Sequence, residues 1–306
     1  MSPEAKAAQV NLRITPALKA AAEKAAERDH RSLTSLIEKL LADHLQAQPT
    51  LESWHDRAHG RFLRLIADQK DKRTITRKST VVRSYCIKSA EGEIIPSHQL
   101  QEKLRLVSGK LDAIFSSSVL YPYTRPELHP YFTSDSDLKR GDLDEVLECF
   151  GSPPVIELEF WRVSPAGLAT EIRSLREDRG DVPMQGIETG TSLSPFFLVR
   201  DLALFVFHAH HLAKAFPSAG RIEFRCEWSG LLERSLADPH PLRGWKPGNI
   251  SRTDHRIVTA ECASADVPSG WPEIVSKLAG PVLRLFDPTF PCSPDWLREQ
   301  SVHFRR

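Results

Sequence analysis

Residues 9–15, Gln9-Val10-Asn11-Leu12-Arg13-Ile14-Thr15, alternate strictly between polar and apolar side chains. On a strand, Val10, Leu12 and Ile14 point one way, and Gln9, Asn11, Arg13 and Thr15 the other. Pro16 then stands at the favoured first position of a helix, with Thr15 as its N-cap. Leu18, Ala21, Ala22 and Ala25 share the inner face of that helix, which is predicted to run to about Arg28. Asp29-His30-Arg31 makes a turn, and Ser32 caps a second helix striped with Leu33, Leu36, Ile37, Leu40, Leu41 and Leu45. One strand and two helices, about 45 residues in all, cannot bury such a stripe alone. The segment is therefore expected to be stable as a dimer, with Val10, Leu12, Ile14, Leu36, Ile37 and Leu40 in its shared core.

Beyond residue 50 the pattern changes. Leu51 to Gln69 reads as an amphipathic helix, with Trp54, Phe62, Leu65 and Ile66 near one stripe. A basic stretch follows, in which Lys70, Lys72, Arg73, Arg77, Lys78 and Arg83 outnumber the acids. STVVRSYCIKS and IIPSH are predicted to form a hairpin turned at Gly92. Gln99 to Ser117 has helical spacing, and loops rich in Pro, Ser and Asp come next. PVIELEFWRVS is predicted to turn at Pro165-Ala166-Gly167 and pair with Leu168 to Leu175. Ser192 to Phe216 is apolar nearly all round, the pattern of a central core helix. RIEFRCEWSGL and HRIVTAECAS read as strands, and Trp271 to Phe286 as a closing helix. The expected fold class is α+β. Residues 1–48 form a DNA-binding domain, 49–78 a helical and basic linker, and 79–306 a larger mixed domain for sensing or partner binding.

Composition narrows the class. Of 306 residues, 41% are hydrophobic and 26% charged, so a buried core is expected and general disorder is not. The net charge of +1 means that any attraction to nucleic acid must be local. The five cysteines lie far apart without a CxxC pair, which suits a reducing cytoplasm better than a disulfide or zinc framework. MSPEAKAAQVNLRI carries no apolar signal core, and Leu193 to Ala213 contains Arg200, Asp201 and three histidines. A cytoplasmic protein without a membrane span is expected.

The strand, Pro16, the Arg31-Ser32 turn and the second helix occur in the order of the ribbon–helix–helix family, which residues 8–47 resemble. That resemblance implies an intertwined homodimer whose paired strands enter the major groove of double-stranded DNA. Asn and Gln offer a donor–acceptor pair to adenine, and Arg does so to guanine, so Gln9, Asn11 and Arg13 are the expected base contacts. The free amides at the start of the second helix, with Arg31, Ser32, Leu33 and Thr34, suit a phosphate. The basic stretch 70–83 is a further candidate for backbone contact.

No P-loop, GxGxxG, HExxH or GxSxG occurs in residues 51–306, and no catalytic residue, metal or cofactor is expected. His208 and His211 share a helical face but read as core-edge histidines. Glu157 and Glu159 alternate without the lysine that a nuclease motif needs. Trp161-Arg162 and Glu177-Asp178 are candidates for a structural polar cluster. FWRVSPAGLATEIRSLRED, the apolar helix and EWSGLLERSL are faintly similar to the module that follows schlafen-type AlbA-like domains in bacterial proteins. The expected function is a bacterial-type transcriptional regulator, a repressor by promoter occupancy. Its large domain would receive a small-molecule ligand or a protein partner, and dimers could assemble to higher order. The alternatives are a DNA-tethered effector or antitoxin-like component of a defence system, and a scaffold that oligomerises along DNA.

Overall fold

The computed structural model describes residues 15–29, 31–37, 50–68, 79–89, 93–115, 129–134, 145–151, 159–178, 189–237 and 250–304. The chain divides into two units, Met1–Pro49 and Thr50–Arg306. It is mixed α and β.

In the first unit α1 spans Pro16–Arg28, with proline in the first turn where its missing N–H costs nothing. The Thr15 hydroxyl accepts from the Leu18 amide at 3.3 Å. A turn through Asp29 and Arg31 leads to Ser32, and residues 33–37 are helical again. The strand expected at residues 9–15 and most of the second helix lie outside the described residues.

The second unit is built on a seven-stranded sheet. Its strands are β1 (Thr80–Ser89), β2 (Tyr131–Ser134), β3 (Glu145–Gly151), β4 (Glu159–Val163), β5 (Leu168–Arg173), β7 (Ala219–Ser229) and β9 (Arg256–Ala263). They lie in the order β2-β3-β4-β5-β1-β7-β9, all neighbours antiparallel. Two short strands, β6 (Ser192–Leu193) and β8 (Ser235–Leu236), pair in parallel beside it.

Strand alternation assigns each side chain to one of two layers. Val81, Tyr85, Trp161, Ala169, Phe224 and Trp228 meet α4 (Pro195–Ala213), which is flanked by α3 (Ser97–Phe115), α5 (Val267–Leu283) and α6 (Pro294–Ser301). Val82, Phe160 and Ile172 meet α2 (Leu51–Ala67) on the opposite face. Helix α4 has the length and hydropathy of a membrane span, but 83% of that window is buried inside the protein. The Pro165–Gly167 turn joins β4 to β5 as expected. Gly167 has φ +81, and a Cβ there would sit 3.1 Å from the Ile87 Cβ, so glycine is required on both counts.

Three expectations need correction. The hairpin between β1 and Ile94-Ile95 does not form: β1 is flanked by β5 and β7, whose longer apolar faces satisfy both its edges. Helix α2 is no linker but a layer of the body, with Trp54, His55, Ala58 and Phe62 buried against the sheet. Arg83, counted with the basic stretch, is 3% exposed inside the α4 layer and cannot reach a phosphate. The remaining basic residues, Lys70 to Lys78, lie outside the described residues.

Candidate nucleic-acid interface and the buried polar clusters of the body

Two short-range devices shape the first unit. The Asp29 amide closes α1 on the Ala25 and Ala26 carbonyls, and the Arg31 amide reaches back to Ala26 at 2.9 Å. Ser32 then begins the second helix: its carbonyl accepts from the Leu36 amide at 2.9 Å and its hydroxyl accepts from the Ser35 amide at 3.1 Å. With the third amide capped, the Leu33 and Thr34 amides remain at the open, positive end of the helix. Arg31 pairs with Asp29 at 3.1 Å, both side chains more than 40% exposed, a bridge weak enough to exchange for another anion. Arg31, Ser32 and Thr34 are exposed and Leu33 is half-buried. All four therefore stand together around one helix start.

Of the expected dimer core, Leu36 is buried and Ile37 half-buried, while Leu18 on α1 is 56% exposed. Gln9, Val10, Asn11, Leu12, Arg13, Ile14 and Leu40 lie outside the described residues.

The body holds two polar clusters on opposite faces of the sheet. On the α4 face, Asp201 lies among three guanidinium groups. Arg173 is at 2.7 Å, Arg176 at 3.0 Å, and Arg83 at 3.8 Å from its carboxylate, with Arg83 also donating to the Asp201 carbonyl at 2.9 Å. Those charges hold the Asp201 carboxyl well below its ordinary range despite complete burial. Glu171 accepts from Arg173 at 3.0 Å and faces Arg83 at 3.5 Å. Asp178 forms a two-pronged pair with Arg234, both contacts at 2.8 Å, and accepts from the Ser79 hydroxyl.

On the α2 face, a chain of hydrogen bonds runs from the surface inward. His255 and His55 bind the two carboxylate oxygens of Glu227 at 2.9 and 3.0 Å. The other nitrogen of His55 is 2.9 Å from the Ser84 hydroxyl, which is 2.7 Å from that of Thr170. The hydrogen bond from His55, aided by His255, holds Glu227 down to about 2. A serine–histidine–carboxylate series resembles a nucleophile relay, but Ser84 and His55 are both fully buried. No substrate carbonyl can approach Ser84, so the chain fastens α2 to the sheet.

The clusters expected from sequence are redistributed. Arg162 pairs with Glu148 at 3.3 Å and lies over the Trp54 ring on the α2 face, whereas Glu177 and Asp178 belong to the α4 face. Glu159 is buried, and Glu157 lies outside the described residues. His208 bonds the Tyr85 hydroxyl at 2.9 Å and packs on Trp161, and burial lowers it to about 3. Burial also lowers His211, to about 4. Among the described residues no group of three His, Cys, Asp or Glu is placed to hold a metal.

Sequence reasoning missed the Asp201 and Glu227 centres. A lone Asp in the apolar run of α4 was the available signal for the first, since an unpaired charge would not survive there. No family model, curated protein or solved structure matches this chain.

Proposed function

We propose that the protein is a DNA-binding transcriptional regulator that acts as a dimer, with a β-ribbon at residues 9–15 in the major groove. The observation that carries this reading is the capped helix–turn–helix at residues 15–37. Thr15 and Pro16 fix the point where strand must give way to helix, and Ser32 fixes the start of the second helix. The exposed Leu18 in a unit with so little buried surface is the mark of an apolar face that a second copy covers. Gln9, Asn11 and Arg13 then read base edges, and the helix start at Arg31, Ser32, Leu33 and Thr34 clamps a phosphate on each side. Promoter occupancy, hence repression, is the simplest outcome, and the body supplies the surface for a ligand or a protein partner.

The test is selection of a preferred site from random duplexes, followed by Asn11→Ala and Arg13→Ala. Each substitution should weaken the selected site by about 1–3 kcal/mol and leave random DNA nearly unaffected. Equal weakening of both would mean that the ribbon does not read sequence. The DNA-tethered effector or scaffold would then be the better description.

A further inference from the structure

The short turn Arg176–Asp178, between β5 and β6, sends three successive side chains to three different places. Arg176 grips Asp201 on α4, and Asp178 takes Arg234 and the Ser79 hydroxyl at the entry to β1. Glu177 accepts from the amide of Ser194, the residue whose hydroxyl caps α4. The first and third of these side chains meet an opposite charge. Glu177 does not: it is 2% exposed, and no cation among the described residues pairs with it.

The surrounding charges are already engaged. Arg83 from β1, Arg173 and Glu171 from β5, and Arg176 from the turn all serve the Asp201 centre, and Arg234 serves Asp178. Arg200 from α4 donates to the carbonyls of Phe304 and Phe115. The carboxylates of Asp178 and Asp201 face Glu177 with like charge. A cavity of about 10 Å³, room for about one water, adjoins it between Arg83, Arg176, Asp201 and Trp228.

We propose that Glu177 is a proton-operated latch: the neutral acid holds the turn against the amino end of α4, and its ionisation loosens that junction. Burial outweighs the Ser194 hydrogen bond and raises the group from 4.5 to about 7. A carboxyl raised in this way stabilises the fold fully below its unfolded value of 4.5, and that contribution is lost as pH rises through 7. The latch therefore opens within the neutral range. It acts on the helix around which the body is packed, so a small pH change is transmitted to the core without any ligand.

Glu177→Gln tests this directly, because the amide keeps an acceptor oxygen and similar size but cannot ionise. In the full-length protein, the unfolding constant of the parent should rise relative to that of the variant by on the order of a hundredfold between about pH 5 and pH 8. Exchange of the Ser194 amide should accelerate over the same range in the parent alone, beyond the intrinsic effect of pH. Parallel profiles for the two proteins would overturn the proposal. Should the variant not fold, the infrared spectrum of the parent decides. A protonated-carboxyl band at about pH 6 that is lost by about pH 8 supports the latch, and no such band at about pH 6 overturns it.

Discussion

Helix α4 and helix α1 are both uncharged along one broad side, yet they end in opposite situations. Sixteen of the nineteen residues of α4 are buried, including Arg200 and Asp201. In α1 only Ala26 is buried, and Leu18 is 56% exposed. The body encloses its own core and can even enclose charge, because a sheet and four further helices surround α4. The first unit has too few residues to do so, and its apolar stripe stays open within one chain. Stability in the body should thus be a property of the single chain, whereas stability in the first unit should depend on protein concentration.

The largest effect should come from Asp201→Ala. The substitution leaves Arg173, Arg176 and Arg83 facing one another without the carboxylate they share, and buried pairs broken on one side lose about 3–5 kcal/mol. The body's melting transition should fall sharply and remain independent of concentration. If the loss were below about 1 kcal/mol, the cluster would be hydrated and not a buried centre.

Next in size is Leu36→Ala in the first unit, which removes the larger of its two described buried side chains. A loss of about 2–3 kcal/mol is expected, at the lower end of Leu→Ala substitutions because the site is small. Sedimentation should show dissociation at concentrations where the parent is dimeric. An unchanged association state would mean that the unit does not use this stripe for pairing.

Glu227→Gln addresses the other face of the sheet. Its hydrogen bonds to His55 and His255 should contribute about 1–2 kcal/mol, lowered by the exposed position of His255. Because the folded carboxyl is depressed from 4.5 to about 2, that contribution is present above 4.5 and is lost as pH falls through about 2. The gap between parent and variant in denaturant melts should be level at neutral pH and close on acidification. A gap that instead grew on acidification would contradict the assigned pairing.

The elements with local signals were legible in the chain. Thr15-Pro16 marks the start of α1, Pro165-Ala166-Gly167 marks the β4–β5 turn, and the unbroken apolar run marks α4. What escaped depends on distant partners. The flanks of β1 are set by β5 and β7, far along the chain, so its hydrophobic pattern was equally compatible with a local hairpin. Strand β3 hides in an acidic stretch because Glu148 is buried, which only its pairs with Arg61 and Arg162 permit. Arg83 looked like part of a basic run because its neighbours in sequence are basic, while its neighbours in space are Glu171 and Asp201. The expected base-reading triad drew on strand alternation and family resemblance, and its residues lie outside those described.

The smallest expected effect compares one chemical device in both units. Ser32 caps the second helix of the first unit through the Ser35 amide at 3.1 Å, and Ser293 caps α6 through the Trp296 amide at 3.2 Å. Replacing either with alanine removes the same hydrogen bond, worth about 1 kcal/mol, while glycine in its place costs only a few tenths. In the body, Ser293→Ala should simply lower the melting point, since one chain loses one cap. In a dimer with two copies of Ser32, folding and association are one equilibrium, so two caps are lost per assembly. The dissociation constant should then rise by more than tenfold, about 2 kcal/mol at roughly 1.4 kcal/mol per factor of ten, and Ser32→Gly should largely restore it. Analytical ultracentrifugation of the three proteins measures this. If Ser32→Ala changed only a concentration-independent melt, as Ser293→Ala does, the first unit would fold within one chain and the contrast drawn from Leu18 would fail.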